Sequence, residues 1–149
     1  MPVMKALYVL TMTEIIQTNP DVVAGVIEKL PEFPYKTTAI EIADRSTKNN
    51  ALLLLAREKD QDAGFLVAFP ITESIYYNWI MGVLPPFRRQ GISKMLMDEF
   101  ERYSLKYGCA KCLVKTMNRY RNTLRLLINR NYNIIGFDGS KIAFEKEII

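Results

Sequence analysis

The spacing of apolar positions along this chain changes period twice, and each change marks a change of element. A short apolar run, Lys5 to Leu10, reads as a strand. Thr18, Asn19 and Pro20 then give a helix start with proline in its first turn. Val22, Val23, Val26, Ile27 and Leu30 follow at helical spacing until Pro31 and Pro34 break the pattern. Thr38, with Glu41 completing a capping-box signature, predicts a second helix through about Arg45. The period then drops to that of strands. Ala51 to Glu58, a turn at KDQDAG and Gly64 to Pro70 predict a hairpin. The aromatic and β-branched run Ile75 to Leu84 predicts a third strand, stopped by Pro85 and Pro86.

From Ile92 the helical period returns, with Met95, Leu96, Phe100, Tyr103 and Tyr107 on one face up to Gly108. CAKCLVKTM predicts a strand, and Arg119 to Asn131 a helix carrying Leu124, Leu127 and Ile128. Tyr132 to Ile149 predicts a hairpin turned at Asp138-Gly139. No repeat, low-complexity tract or linker interrupts this series. The expectation is one domain over residues 1–149, of the α/β (α+β) class. Its sheet should be mixed and largely antiparallel, flanked by helices, with a strand–helix–strand crossover in the second half.

Composition narrows the chemistry. At 49% apolar and 24% charged residues the chain has ordinary globular usage. A net charge of +4 favours anionic partners: nucleic acid, a membrane surface or a phosphorylated small molecule. There is no histidine, which removes histidine-based nucleophile activation, general bases and metal sites. Cys109 and Cys112 are spaced C-x-x-C but lack the further ligands of a zinc site. They fall in what reads as a strand, with Cys112 sharing the inward face with Ala110 and Val114, so core thiols are expected rather than a redox pair. Reduced thiols and the absence of a signal segment point to the cytoplasm. The longest apolar run, Ala51 to Ala56, suits a buried strand and not a membrane span.

The segment VLPPFRRQGISKML, residues 83–96, stands out from this background. A strand end runs into two prolines, two arginines and a glycine, and a helix opens at once. The first N–H groups of a helix have no intrahelical partner, and the helix dipole adds positive potential there, so a phosphate docks readily. Gly91 would let the backbone approach it, Ser93 can add a hydroxyl donor, and Arg88 and Arg89 supply charge. One glycine is too few for a P-loop or a Rossmann fingerprint, which argues against ATP and NAD. What remains is a hexad of the form [RQ]-x-x-G-x-[GA], written here as Arg88, Arg89, Gln90, Gly91, Ile92 and Ser93. The bland alternative is a loop of solvated arginines. Arg119, Arg121, Arg125 and Arg130 would suit nucleic acid, but a helix-turn-helix needs a helix where the sequence places a strand, so no nucleic acid is expected.

With these residues in hand, GVLPPFRRQGISKMLMDEFERYSLKYG resembles the acetyl-CoA-binding core of the GNAT N-acetyltransferases. VKTMNRYRNTLRLLINRNYNIIGF resembles their next strand and helix, and ALLLLAREKDQDAGFLVAFP is more loosely similar, so the likeness spans roughly residues 38–137. The resemblance implies central fourth and fifth strands that splay like a V and take the pantetheine arm of the co-substrate. By position, the backbone of Met81, Gly82 and Val83 would pair with that arm, and the Val83 backbone would polarise the thioester carbonyl. Arg88 through Ser93 would hold the pyrophosphate, and Gly82 would mark the bulge that opens the V. Asn118 and Asn122 would either reach the co-substrate or, in the case of Asn118, cap a helix.

Several departures accompany the likeness. Ser93 stands for glycine or alanine, and Asn131-Tyr132 for the usual Gly-Phe. The family's tyrosine acid falls on Leu127, with Tyr120 about two turns away, and the glutamate base of the fourth strand falls on Tyr77. The implied activity is transfer of an acetyl group from acetyl-CoA to a primary amine of a small molecule or peptide in a ternary complex, without a metal. The amine would attack directly with water carrying the proton, or Tyr77 or Glu73 would relay it. A catalytically silent acyl-CoA-binding module of the same fold is the alternative. Tyr76, Tyr77, Trp79, Phe87, Phe33 and Tyr35 read as packing or as walls of an acceptor cleft. An exposed edge in the C-terminal hairpin would suit pairing of two copies.

Overall fold

The structure, a computed structural model, describes residues 12–149. The strand expected at Lys5 to Leu10 lies outside the described residues. The first described strand, β1 (Thr13–Gln17), pairs antiparallel with β2 and was not anticipated, because its adjacent isoleucines give no alternation. Helix α1 (Pro20–Glu28) starts as its sequence dictates: the Asn19 side chain accepts the Val22 N–H at 3.1 Å and proline occupies the first turn. Helix α2 (Ala39–Asn49) carries the expected capping box, Thr38 with Glu41. It runs a turn past Arg45, since no breaker intervenes before Asn50 takes a left-handed cap.

Strands β2 (Leu52–Glu58) and β3 (Gln61–Pro70) form the expected hairpin, with a tighter turn than the composition of KDQDAG suggests. Lys59 and Asp60 alone close it, both at positive φ, the signature of a two-residue hairpin loop. Gln61 and Asp62 already pair with Glu58 and Arg57. After β4 (Ile75–Val83) and a short 3₁₀ turn at Pro85–Phe87 comes helix α3 (Ile92–Tyr107), ended by Gly108 in the left-handed region. Strand β5 (Lys111–Met117), helix α4 (Arg121–Asn129), and strands β6 (Asn133–Asp138) and β7 (Lys141–Glu147) complete the chain. Helix α4 is shorter at both ends than Arg119 to Asn131, and the last turn sits on Gly139-Ser140, one residue later than expected.

The strands form one seven-stranded sheet in the order β1-β2-β3-β4-β5-β7-β6. All neighbours are antiparallel except β4 and β5, which α3 connects as a crossover. Each face carries its own core. On one, Leu96, Met97 and Phe100 of α3 and Leu127 of α4 pack on Leu54, Leu66, Tyr76, Val114 and Phe144. On the other, Val23, Val26 and Ile27 of α1 and Ile42 of α2 pack on Leu53, Leu55, Phe65 and Val67. Burial on both faces is why β2 and β3 read as continuous apolar runs rather than alternating ones. Cys112 lies in the first core as expected, but Cys109 precedes β5 and belongs to the end of α3, its N–H bonded to the Ser104 carbonyl at 3.0 Å. Burial pushes the Cys112 thiol up to about 11 and raises that of Cys109, so both stay protonated at neutral pH.

Candidate functional site

The site begins where β4 and β5 stop pairing. Their parallel ladder runs from Ile75 opposite Lys111 to Asn78 opposite Val114 and ends there. Beyond it Trp79–Val83 pairs only with β3, and Lys115–Met117 only with β7, so the two strands part in a V. The register shows the cause. Val67 faces Ile80 but Ala68 faces Asn78, which leaves Trp79 as the extra residue of a bulge. A bulge bends its strand and sharpens its twist. The bulge is therefore at Trp79 and not, as the sequence suggested, at Gly82. Gly82 pairs regularly with Phe65, and its missing Cβ makes room for buried Leu30, whose Cδ1 would lie 2.7 Å away.

Backbone groups line the open part of the V. The Leu84 N–H bonds to the Ala63 carbonyl of β3 at 2.8 Å. Because antiparallel bonding alternates, the N–H and C=O of Met81 and Val83 then point away from β3, into the gap. Arg88 uses one of them: its Nε donates to the Val83 carbonyl at 2.9 Å. Its guanidinium also pairs with the Glu32 carboxylate, so Arg88 turns back across the end of β4 instead of standing free before the helix. Burial pushes the Glu32 carboxyl up, but the Arg88 hydrogen bond and charge more than offset this and hold it below its usual range.

The loop itself presents amides. Arg89 and Gly91 have positive φ values of 63° and 79°, and Gly91 is the residue preceding α3, with no side chain capping the helix. The Met95 N–H makes the first bond of the helix, to Gly91, leaving the N–H groups of Ile92, Ser93 and Lys94 without an intrahelical acceptor. A Cβ at Gly91 would meet no protein atom within 4 Å, so the left-handed backbone, not crowding, selects glycine here. Ile92 is buried and anchors the helix start, while Arg88, Arg89 and Gln90 are exposed. The Gln90 side chain reaches back to the Pro86 carbonyl at 3.5 Å.

Of the roles expected for the asparagines, the structure overturns one, the capping of α4 by Asn118. Asn118 is exposed in the turn after β5 and does not cap α4; the capping position is Tyr120, and no side chain fills that role. Asn122 lies exposed on the first turn, its Oδ1 accepting from Arg125 at 3.0 Å. Leu127 is fully buried in the core, which confirms that no acid occupies its position. The Tyr120 hydroxyl instead points to the α1–α2 loop, donating to the Glu32 carbonyl at 3.4 Å. Glu32 thus touches both arms of the V, through Arg88 and through Tyr120. It sits between Pro31 and Pro34 and 56 positions from Arg88, with no local pattern to mark it.

The two residues expected as proton relays lie toward the closed end. Glu73 is exposed in the turn before β4, roughly 17 Å along the strand from Asn78 at about 3.3 Å per residue. Burial raises the Tyr77 phenol above its ordinary value despite the charges of Lys115 and Arg45, so its hydroxyl keeps its proton at neutral pH. Sequence reasoning also passed over Asn78. It is 2% exposed, on the last rung before the strands part, and its Oδ1 has no hydrogen-bond partner. Its Nδ2 faces only the sulfur of Met97 at 3.6 Å and of Met81 at 3.9 Å. A buried amide left so poorly satisfied costs stability, and no periodicity announces it.

Comparison with known proteins agrees with this geometry. The sequence pattern of the Acetyltransferase (GNAT) family matches residues 16–132. No curated protein sequence matches the chain. Among solved structures, Ard1 from Thermoplasma volcanium superposes with a TM-score of 0.82 at 14% identity, covering 93% of this chain and 99% of that one. The PaiA N-acetyltransferase from Thermoplasma acidophilum, in complex with coenzyme A, gives 0.76 at 18% identity, with 91% and 98% covered. The ribosomal-protein-S18-alanine N-acetyltransferase from Escherichia coli gives 0.78 at 14%, with 92% and 94% covered. At these identities the superpositions speak for the fold, and the match over 16–132 for the lineage: the chain belongs to the GNAT family of acetyltransferases.

Proposed function

We propose that this protein transfers an acetyl group from acetyl-CoA to a primary amine, by direct attack of the amine within a ternary complex. The observation that carries the proposal is the V opened by the Trp79 bulge, with the backbone of Met81 and Val83 facing the gap and the uncapped start of α3 at its mouth. Acetyl-CoA supplies an activated acyl thioester. The backbone of Met81 and Val83 would hold its amide-bearing arm as a strand would, and a Val83 N–H is placed to polarise a carbonyl. Gly82 serves by admitting Leu30 behind the strand. The N–H groups of Ile92, Ser93 and Lys94, with Gly91, Arg89 and Gln90, would receive the pyrophosphate. Arg88 would join them on leaving Glu32 and the Val83 carbonyl, exchanging one anion for another. Asn118 and Asn122, exposed beyond β5, flank the same opening.

No carboxylate lies along β4, and Tyr77 keeps its proton, so the proton of the amine passes to water. That mechanism suits an amine of modest basicity, such as a protein N-terminus with a pKa of about 8. The solved relatives named for N-acetylation, one of them for a ribosomal-protein alanine, support an amine acceptor. The buried Leu127 favours a second reading, a catalytically silent acyl-CoA-binding module.

A calorimetric titration of acetyl-CoA into wild type, Gly91→Glu and Arg88→Ala tests the binding half. Gly91→Glu should abolish binding, because a carboxylate would stand before the amides on a strained backbone; Arg88→Ala should weaken it. Unchanged affinity in both would place the phosphates elsewhere. Binding with no CoA release across a panel of amines would leave the silent module.

A further inference from the structure

On the α1–α2 face of the sheet, where β4 and β5 part, two cations lie over two neighbouring aromatic rings. Tyr77 lies opposite Leu113, one rung before the ladder ends, and Lys115 is the first residue of β5 beyond it. The Lys115 ammonium stands 5.5 Å from the centre of the Tyr77 ring. From α2, the Arg45 guanidinium lies 4.2 Å from the centre of the Trp79 ring. Phe69 joins the two aromatics, 5.8 Å from Tyr77 and 6.1 Å from Trp79. Through Phe69 the two cation–ring contacts are neighbours on one face of the sheet, and both charges lower the Tyr77 phenol against the effect of its burial.

The acids nearby are few. Lys115 is paired with Asp138 of β6 at 2.8 Å, and Asp138 also bears on Tyr77. Asp44 is engaged by Lys48 at 3.1 Å. Glu41, one turn before Arg45, feels its charge but is held by Tyr35 and by its capping contacts with Thr38. Arg45 has no ion pair, and the Tyr77 hydroxyl no hydrogen bond, among the described residues. The corner therefore offers a guanidinium, an ammonium and a phenolic O–H, with Asp138 paired to Lys115 and Glu41 one turn from Arg45.

We propose that Arg45, Lys115 and the Tyr77 hydroxyl anchor a carboxylate carried by the acceptor beside its amine, so that the substrate class is a primary amine with an acidic group on the same residue. This rests on the acetyl-transfer reading above and names the substrate of that site. A polyamine or a lysine-rich segment would bring like charge against Arg45 and Lys115, whereas a carboxylate finds three donors. The same cations address the missing base. A positive charge beside an amine disfavours its protonated form, which delivers the neutral nucleophile without a carboxylate to receive its proton. Tyr77 is accordingly a binding residue and not a base. The acid could be the side chain of an N-terminal aspartate or glutamate in a peptide, or the α-carboxylate of a free amino acid.

The test titrates acceptors calorimetrically into protein saturated with CoA, and measures acetyl transfer with acetyl-CoA, in wild type, Arg45→Gln, Lys115→Met and Tyr77→Phe. The acceptors are peptides identical except for a first residue of glutamate, alanine or lysine, together with free glutamate and spermidine. Glutamate-first peptide or free glutamate should bind at least about tenfold more tightly than alanine-first peptide, and which of the two does so identifies the source. Arg45→Gln, at an exposed position, should remove that preference through KM, weakening the glutamate-first peptide or free glutamate at least about tenfold more than the alanine-first peptide. A preference for spermidine or the lysine-first peptide, or equal losses for acidic and neutral acceptors in the variants, would overturn the anchor. If acetyl-CoA binds the wild type while the acidic preference is absent, the anchor alone fails. If acetyl-CoA does not bind, the acetyl-transfer reading fails with it.

Discussion

At the scale of single residues, two glycines on adjacent rungs of the β3–β4 ladder set the space beside the cleft. Gly64 of β3 lies opposite Val83, and a Cβ on it would fall 2.8 Å from the Gly82 carbonyl. Gly82 in turn leaves room for the end of the Leu30 side chain. The obstacle at Gly64 is backbone, which cannot rotate away, whereas Leu30 has some freedom at its tip. Gly64→Ala should therefore cost about 1–3 kcal/mol in denaturant unfolding, and Gly82→Ala less. Equal effects would show that Leu30 is as rigid as the strand. Asn78 belongs to the same scale. Its unsatisfied Oδ1 sits on the last rung of the parallel ladder, a place where an apolar side chain would be the more stable choice. The hexad Arg88 to Ser93 was legible because its residue types follow from local rules. Glu32, Arg45 and Asn78 were not, because what matters about them is a neighbour distant in sequence.

At the scale of elements, one carboxylate ties the second half together. Glu101 of α3 is 15% exposed and accepts from Arg130 at 3.1 Å, the Tyr132 hydroxyl at 2.9 Å and Lys146 of β7 at 3.0 Å. Arg130 also reaches Asp98 at 2.8 Å. Burial pushes the Glu101 carboxyl up, but the hydrogen bonds from Arg130, Lys146 and Tyr132 outweigh it and the carboxyl lies below its usual range. Burial together with the charges of Cys112 and Glu101 raises the Tyr132 phenol, which keeps it a donor. Glu101→Gln should cost about 3 kcal/mol, since it removes the carboxylate that pairs with Lys146 and one of the two that pair with Arg130. A depressed folded-state pKa stabilises above the unfolded value and is lost as pH falls. The wild type should thus lose this increment as pH drops below the ordinary value of 4.5, and Glu101→Gln should not. Thermal melts across that range decide it. The elements themselves were legible from period, caps and prolines. The exceptions, β1 and the tight Lys59-Asp60 turn, depend on partners across the sheet.

At the scale of the whole molecule, the V is set by the sheet's own register, since the Trp79 bulge lies where the β4–β5 ladder ends. A preformed site lets binding free energy appear as stability rather than as reorganisation. Acetyl-CoA at about 100 times its Kd should add about 2.7 kcal/mol and raise the melting temperature by roughly 5–11 °C. A much smaller rise at that multiple of Kd would mean that acetyl-CoA also binds the unfolded chain or that unfolding is not two-state. No helix among the described residues is long and apolar enough to cross a membrane.

By itself the sequence determined the alternation of helices and strands, the crossover between β4 and β5, and the loop before α3. Each follows from interactions between residues close in the chain: caps, prolines, hydrophobic period and a glycine in the left-handed region. Only the tertiary structure decided where the strands part, that Arg88 faces Glu32, that burial raises the Tyr77 phenol, and that Lys115 lies over its ring while Arg45 lies over that of Trp79. Those features come from register across the sheet, from burial and from charges on separate elements, and a one-residue bulge in β4 sets the register on which the site depends.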